Sequence, residues 1–256
     1  MDDAALLSLA ADLARRAGRA ILAVRARGFE VARKPDGSPV TPADSAAEAL
    51  ILEGVRAATP AIPVVAEEEV AAGKRIDPSE QFWLVDPLDG TRDFSAGLNE
   101  FTVNIGLVRA RRVVLGVVAV PALGELFGGI VGRGAWKRTI TGERPIAVRD
   151  PPEDGLAVVA SRYHANDARL RSFLAGRKLA SVSNIGSGLK FCRVAEGAAD
   201  LYPRLGRTME WDTAGPQAVL EAAGGTVLTL EGGQLLYGKP DWANPDFVCR
   251  GRPAAS

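Results

Sequence analysis

The sequence predicts a mixed α/β fold in two lobes, and three observations support this prediction. Apolar residues recur at helical spacing over residues 6–22. Short apolar runs separated by turn residues over 101–136 predict an antiparallel meander, and farther along the chain apolar strands alternate with helical stretches, as in layered α/β structures. A stretch rich in Pro, Asp and Glu near 149–155 separates the two patterns. We therefore expect an N-terminal α+β lobe, 1–148, and a C-terminal α/β lobe, 149–256.

Local signals predict each element in turn. The first helix spans about residues 3–26 and ends at Gly28. A second helix, about 42–58, begins at Thr41 as its N-cap, with Pro42 in the first turn. In the second lobe the predicted strands are 156–160, 179–184, 199–202 and 225–230. The predicted helices are 166–176, 187–197 and 213–223.

The composition excludes several classes of protein. The 256 residues are 47% hydrophobic, and 31 basic residues balance 31 acidic ones, which argues against a nucleic-acid partner or a polybasic membrane anchor. The chain shows no signal peptide and no apolar run of about 18 residues, so we expect no transmembrane segment. We expect a cytoplasmic protein with two free cysteines, Cys192 and Cys249, and leave contact with the inner membrane open.

Acidic residues follow several short apolar runs. Asp86 and Asp89 flank a Pro-Leu turn after an apolar strand, the glutamates at 67–69 follow the run 62–66, and Asp212 opens a third such segment. Buried carboxylates at strand ends are unfavourable unless a cation pairs with them. With one histidine and no C-x-x-C spacing, the chain lacks the usual ligands of zinc, iron or copper. Oxygen ligands favour Mg²⁺ or Mn²⁺, and Mg²⁺ commonly shares its shell with a substrate phosphate.

Two metal ions about 3.5–4 Å apart would suit hydrolysis of a phosphate ester. Four carboxylates are available for them: Glu67, Asp86, Asp89 and Asp212. Any one of them alone is as readily a solvated loop acid or a helix cap. Their joint placement at strand-to-turn and turn-to-helix junctions favours the metal site.

Other candidates have simple structural alternatives. Gly90 and Thr91 are predicted to open a short helix whose N–H groups face a phosphate oxygen, although Thr91 could be only an N-cap. Asp44 could complete a capping box with Thr41, and both this role and a role at the site remain open. His164 follows an apolar strand, where α/β sheets bind ligands, but a lone histidine is more often a surface residue.

A further strand, glycine turn and helix start occupies residues 184–190. It could present N–H groups, the Ser187 hydroxyl and the Lys190 ammonium to a phosphate. Alone, this pattern is a weak indication of function.

Three of these motifs resemble the signatures of a superfamily of Mg²⁺-dependent, lithium-sensitive phosphatases, that of inositol monophosphatase and fructose-bisphosphatase. They are Glu67-Glu68, Asp86-Pro87-Leu88-Asp89-Gly90-Thr91 and Trp211-Asp212-x-Ala214. Within the superfamily the chain is most similar to the CysQ type, the 3'(2'),5'-bisphosphate nucleotidases. This closer resemblance is carried by residues 36–44, 100–105, 161–164, 185–192, 194–197 and 201–204.

The resemblance implies a layered αβαβα sandwich, the inositol monophosphatase/fructose-bisphosphatase-like phosphatase fold, with the metals in a cleft between the lobes. Two or three Mg²⁺ ions would be held by Glu67, Asp86, Asp89, Asp212 and the carbonyl of Leu88. Asp44 would support an additional metal or the attacking water, and Thr91 would orient that water. Asp44, Glu67 and Thr91 are thus the expected catalytic set.

The resemblance also places the nucleotide and its 5'-phosphate at His164, Ser187, Lys190 and Arg204, with Gly90, Thr91 and Asp212 against the substrate. The implied reaction converts adenosine 3',5'-bisphosphate to AMP and phosphate by metal-activated water, in sulfur assimilation and nucleotide recycling. The alternatives are inositol monophosphatase or fructose-1,6-bisphosphatase activity and, from another class, a non-catalytic nucleotide or phosphate sensor. The expected partner is a phosphorylated small molecule, and the protein is expected to be a monomer or homodimer.

Three residues depart from the usual family pattern. Glu69 stands where Asp or Ser is usual, and Gly188 where a second Ser is common. Pro216 is expected in the first turn of the helix after Asp212, where a missing N–H costs little.

Overall fold

The computed structural model describes residues 1–34, 37–77, 79–164 and 168–252. Asp36 of the sequence motif lies outside these ranges. His164 ends a short 3₁₀ helix, Arg162–His164, but its side chain lies outside the described part of the protein. Within the described ranges, no helix has both the length and the apolar character needed to cross a membrane.

Two long helices form an outer layer of the molecule. They are α1 (Asp3–Arg27) and α2 (Pro42–Ala58), close to the predicted bounds. Gly28 ends α1 with φ 78°, in the left-handed region that suits glycine. Between the helices, β1 (Ala32–Arg33) and β2 (Pro39–Val40) pair antiparallel.

The first large sheet has seven strands and carries two short helices. In chain order these elements are β3 (Val64–Ala66), α3 (Glu67–Ala71), β4 (Gln81–Asp89), α4 (Thr91–Ser95), β5 (Thr102–Arg109), β6 (Arg112–Val120), β7 (Glu125–Ile130), β8 (Gly134–Thr139) and β9 (Gly142–Ile146). β3 and β4 are parallel, and every later pair of neighbours is antiparallel. The predicted meander is confirmed and continues to β9.

The second sheet has five strands in the order β11-β10-β12-β14-β13. Its region contains β10 (Leu156–Ser161), α5 (Ala168–Leu174), β11 (Leu179–Ile185), α6 (Leu189–Ala195), β12 (Leu201–Arg204), α7 (Glu210–Ala222), β13 (Thr226–Thr229) and β14 (Phe247–Arg250). β10 pairs parallel with β11 and β12, whereas β14 is antiparallel to both of its neighbours. The predicted α/β alternation is confirmed. The pattern missed β14, because so short an apolar run shows no periodicity.

Helices α6 and α7 lie between the two sheets. α7 packs on β4 to β7 of the first sheet and on β13 of the second, and α5 packs on the outer face of the second sheet. Glycine allows the close approach of α7: a Cβ on Gly116 would lie 2.3 Å from the Gly215 carbonyl oxygen. The order of layers is α1 and α2, the first sheet, α6 and α7, the second sheet, and α5, which confirms the αβαβα sandwich.

The prediction for Pro216 was wrong. α7 begins at Glu210, so Pro216 lies inside the helix and not in its first turn. The early start has a local cause, because the Asp212 carboxylate accepts a hydrogen bond of 2.9 Å from the Met209 N–H. The lobe boundary at 148/149 remains a prediction. The packing of α7, from the second half of the chain, on the first sheet does not define it.

Candidate active site

A cleft of about 560 Å³ opens where the two sheets meet. Most of the predicted site residues line it, namely Glu67, Asp86, Leu88, Asp89, Gly90, Thr91, Ser187, Lys190, Arg204 and Asp212. Asp44 is buried and does not line the cleft, but its carboxylate contacts the Thr91 hydroxyl, which does. The fold therefore gathers residues from both halves of the chain at one place.

A bulge in β4 brings Asp86 and Asp89 to the same face. Residues three apart in a regular strand point to opposite faces. Here Asp86 is opposite Asn104 and Asp89 is opposite Thr102, so the β4 segment has one residue more than the β5 segment it faces. The Pro-Leu turn supplies this extra residue, and both carboxylates consequently face the cleft.

The four carboxylates affect one another's ionisation. Asp86 is only 1% exposed, and Glu67, Asp89 and Asp212 are partly exposed at the cleft. Burial raises the pKa of Asp86 and of Asp212 well above the usual range, and the negative charges of neighbouring carboxylates raise both further. Burial also raises the pKa of Asp89 and Glu67, against the opposing effects of Lys190 and Lys34. A bound cation would relieve this repulsion.

Protein donors hold one oxygen of each carboxylate. The donor–acceptor distances are 3.0 Å from Leu88 N–H to Asp86 Oδ1, 2.6 Å from Gly188 N–H to Asp89 Oδ2, 2.9 Å from Met209 N–H to Asp212 Oδ2 and 2.6 Å from Lys34 Nζ to Glu67 Oε1. In the part of the chain that the structure describes, no three Asp, Glu, His or Cys side chains already converge as a complete metal cage. The Glu67 and Asp86 carboxyl groups are also hydrogen-bonded to each other, and the carboxylate oxygens not used in these bonds are the natural contacts for a cation. This all-oxygen donor set fits Mg²⁺.

Thr91 and Asp44 form a second feature of the site. Gly90, with φ 92°, turns the chain from β4 into α4, which begins at Thr91, as predicted. The Thr91 hydroxyl lies 3.1 Å from Asp44 Oδ1 and 3.1 Å from the Leu88 carbonyl oxygen, and it can donate to one of them at a time. Asp44 Oδ2 accepts from the Thr41 N–H at 2.8 Å, so the capping box is present as well. Burial raises the pKa of Asp44.

The first turn of α6 brings a basic group, the Lys190 ammonium, to the cleft. Lys190 is 4% exposed, and its ammonium donates to the carbonyl oxygens of Ile185 at 3.2 Å and Ser187 at 2.6 Å. Burial lowers the pKa of Lys190 to about 8, against the opposing effect of Asp89. An ammonium has three donors, so one N–H remains for an anion in the cleft.

Arg204 also lines the cleft, at the end of β12. Its Nη2 donates to the Arg207 carbonyl oxygen at 2.8 Å. Its Nε is buried and has no hydrogen-bond partner among the described residues. An anion would satisfy this donor.

Gly188 is a departure with a structural reason. A Cβ at this position would lie 2.9 Å from both Asn104 Oδ1 and the Pro216 ring. A serine there would require movement of buried groups. Glycine allows the backbone N–H to reach Asp89 at 2.6 Å.

The sequence patterns did not identify Lys34. Its ammonium lies 2.6 Å from Glu67 and 2.7 Å from Glu68. Burial alone would lower the pKa of Lys34, but these two carboxylates raise it. The sequence offered one signal for Lys34: it lies just before Gly37 and the motif that ends at Thr41 and Asp44.

Glu48 and Asp93 were also missed. Glu48 accepts hydrogen bonds of 2.8 and 3.0 Å from the N–H groups of Glu68 and Glu69. Burial raises the pKa of Glu48 to about 7. Asp93, 1% exposed, accepts from the Tyr163 hydroxyl at 2.8 Å. Neither contact leaves a motif in the sequence, because the partners are far apart along the chain.

Residues 2–253 match the model of the inositol monophosphatase family, and the chain belongs to this family. Among curated relatives, the 3'(2'),5'-bisphosphate nucleotidase CysQ of Salmonella typhimurium is 45% identical over 247 residues, covering 94% of this chain and 98% of that protein. The crystal structure of CysQ from Bacteroides thetaiotaomicron matches with a TM-score of 0.82 and 32% identity, covering 97% of this chain and 98% of that one. An inositol monophosphatase from Anabaena matches with a TM-score of 0.77 and 30% identity, covering 96% and 90%.

Proposed function

We propose that the protein is a Mg²⁺-dependent 3'(2'),5'-bisphosphate nucleotidase that hydrolyses adenosine 3',5'-bisphosphate to AMP and phosphate. One observation carries the proposal: an acidic cluster around Asp86 and Asp89 and the basic pair Lys190 and Arg204 line the same cleft. The acidic cluster suits a metal and a reacting phosphate, and the basic pair suits a second phosphate. The 45% identity to a CysQ nucleotidase supports this substrate class and a place in sulfur metabolism.

On the metal side, we propose two or three Mg²⁺ ions, for which Mn²⁺ can substitute. The proposed ligands are Glu67, Asp86, Asp89, Asp212 and the Leu88 carbonyl. When bound, such ions polarise the phosphoryl group and lower the pKa of water. Because these carboxylates already raise one another's pKa, their charge favours cation binding.

Thr91, Asp44 and Glu67 are the proposed catalytic residues. When Thr91 donates a hydrogen bond to Asp44, the lone pairs of its hydroxyl oxygen can accept a hydrogen bond from the attacking water. That contact would aim the water oxygen at the phosphorus. Glu67, at the start of α3, would take up the one proton that the water loses as its oxygen attacks, while the O–H bonded to Thr91 stays intact.

On the nucleotide side, we propose that the donors of Lys190 and Arg204 hold the 5'-phosphate, with Ser187 beside them. Support comes from the buried Arg204 Nε, which lacks a partner among the described residues, and from the donor that Lys190 has to spare. Gly90, Thr91 and Asp212 would lie against the reacting end. We place His164 beside the nucleoside from the family resemblance.

The alternative activity is that of an inositol monophosphatase or fructose-1,6-bisphosphatase. The structural similarity to the Anabaena inositol monophosphatase supports inositol monophosphatase activity as the stronger of these two alternatives. A non-catalytic nucleotide sensor is less favoured, because sensing does not require the Thr91–Asp44 pair. With the nucleotidase function we also propose a cytoplasmic location, with or without contact at the inner membrane, and a monomer or homodimer.

A substrate panel tests the proposal. Phosphate release from adenosine 3',5'-bisphosphate, inositol 1-phosphate and fructose 1,6-bisphosphate would be measured with Mg²⁺ and after chelation. We expect the highest kcat/KM for the nucleotide, and only with metal. Higher kcat/KM for either other substrate would overturn the nucleotidase assignment, and no turnover of any would favour a sensor.

A further inference from the structure

One aromatic side chain in the cleft has no part in the proposed metal or phosphate chemistry. Tyr163 lines the cleft and is 51% exposed. The other aromatic residues of the cleft lining are Phe191, Tyr202, Trp211 and Phe247, whose exposure is 3%, 3%, 6% and 0%. Within the described ranges, Tyr163 is therefore the cleft aromatic that offers a ring surface to a ligand.

The ring of Tyr163 is fixed by its surroundings. Its hydroxyl donates to Asp93 Oδ1 at 2.8 Å, and the Arg92 guanidinium lies 5.7 Å from the ring centroid. Asp93 is buried and also lies 2.9 Å from Arg162 Nη1. Burial and the Asp93 charge both raise the pKa of Tyr163, so the hydroxyl remains a donor near neutral pH. A ring held in this way loses little freedom when a ligand packs on it.

The anchor of this ring is tied to the reacting end of the cleft. Asp93 and Thr91 belong to the same short helix, α4, so one rigid segment connects Tyr163 to the proposed water-orienting hydroxyl. A group resting on Tyr163 is thereby placed at a defined distance from the reacting phosphate. Such placement is what a substrate with one reacting phosphate and a distant flat group requires.

We propose that Tyr163 is the platform on which the base of a nucleotide substrate stacks, and that it selects nucleotides over inositol and sugar phosphates. The inference rests on the proposed nucleotidase function and adds how its cleft recognises the substrate class. Every base has a flat π face that stacks on an aromatic ring. Inositol and fructose have no such face.

The test compares adenosine 3',5'-bisphosphate with ribose 3,5-bisphosphate, in which a hydroxyl group replaces the base. For Tyr163→Ala we expect KM for the nucleotide to rise about 5- to 150-fold, the range for loss of one base–aromatic stack. KM for the base-free substrate should stay near that of the wild type. Tyr163→Phe should retain most of the affinity because the ring remains. Tyr163→Leu keeps bulk without a π face and should resemble Tyr163→Ala.

The outcomes separate this inference from the function on which it rests. Wild-type protein that releases no phosphate from adenosine 3',5'-bisphosphate would overturn the nucleotidase function and the inference together. Normal wild-type turnover, with KM raised in equal proportion for both substrates or unchanged for both in Tyr163→Ala and Tyr163→Leu, would overturn the inference alone. Folding is checked by thermal unfolding, and little change is expected because Tyr163 is half exposed and Asp93 keeps Arg162 as a partner.

Discussion

The hydroxyl of Thr91 lies 3.1 Å from a carboxylate oxygen of Asp44, although the two residues are 47 positions apart. Thr91 begins α4, and Asp44 lies in the first turn of α2. The other Asp44 oxygen closes the capping box with Thr41, which fixes the carboxylate in place. A local helix cap thus directs an acceptor at the Thr91 hydroxyl, which lines the cleft.

The first prediction concerns this pair. Thr91→Ala removes the hydroxyl that would orient the attacking water, and we expect kcat to fall by up to about 10²- to 10⁴-fold, the scale of a positioned proton-transfer group. Thr91→Ser keeps the hydroxyl and should lose much less. Steady-state kinetics on adenosine 3',5'-bisphosphate decides the point. Wild-type kcat in a folded Thr91→Ala protein would show that the hydroxyl is not needed.

The second prediction is dependence on a divalent cation. Dialysis against a chelator should abolish phosphate release, and Mg²⁺ or Mn²⁺ should restore it, because the clustered carboxylates need a counter-cation. Lithium should inhibit, as the family resemblance implies. Added Mg²⁺ should also raise the Tm of chelated protein, since a ligand that binds the folded state stabilises it. Full activity in EDTA after exhaustive dialysis would refute the metal mechanism.

A third prediction isolates Asp89. Asp89→Asn keeps an acceptor for the Gly188 N–H but removes one negative charge from the proposed metal site. We expect a large fall in kcat and only a small change in the free energy of unfolding, because the Lewis-acid contribution of a metal is worth several kcal/mol. The Mg²⁺-induced rise in Tm should shrink in this variant. A well-folded Asp89→Asn enzyme with wild-type turnover would exclude Asp89 as a ligand.

The fourth prediction is a pH dependence of stability. Burial raises the pKa of Glu48 from 4.5 in the unfolded chain to about 7 in the folded protein. Between these values the folded state binds more protons than the unfolded state, so this group's contribution to stability decreases as pH rises and levels off above about pH 7. Glu48→Gln cannot ionise and should show a flatter profile of Tm between pH 5 and 8. Parallel profiles for the two proteins would contradict the raised pKa.

These residues also show how far the sequence alone could lead. The capping box of Thr41 and Asp44 was predictable because both partners lie within one helical turn. That Asp86 and Asp89 share one face of β4 was not predictable from the sequence. Strand alternation places residues three apart on opposite faces, and only the pairing with β5 reveals the bulge. The Asp93–Tyr163 contact joins residues 70 positions apart and depends on the tertiary fold.

The last prediction concerns the two basic residues, which should behave differently when truncated. Both are proposed to hold the 5'-phosphate, which does not react, so each loss should raise KM for adenosine 3',5'-bisphosphate more than for adenosine 3'-monophosphate. Lys190 has an additional task, because its ammonium holds the carbonyl oxygens of Ile185 and Ser187, and the next residue, Gly188, donates to Asp89.

Lys190→Ala should therefore also lower kcat on both substrates, whereas Arg204→Ala should leave kcat on the monophosphate near the wild-type value. Measuring kcat and KM separately for both nucleotides distinguishes these effects. Lys190→Arg retains the positive charge and should recover part of the KM for the bisphosphate. If both alanine variants lose kcat/KM in equal proportion on the two nucleotides, neither residue recognises the 5'-phosphate. The cleft would then be that of a general phosphatase.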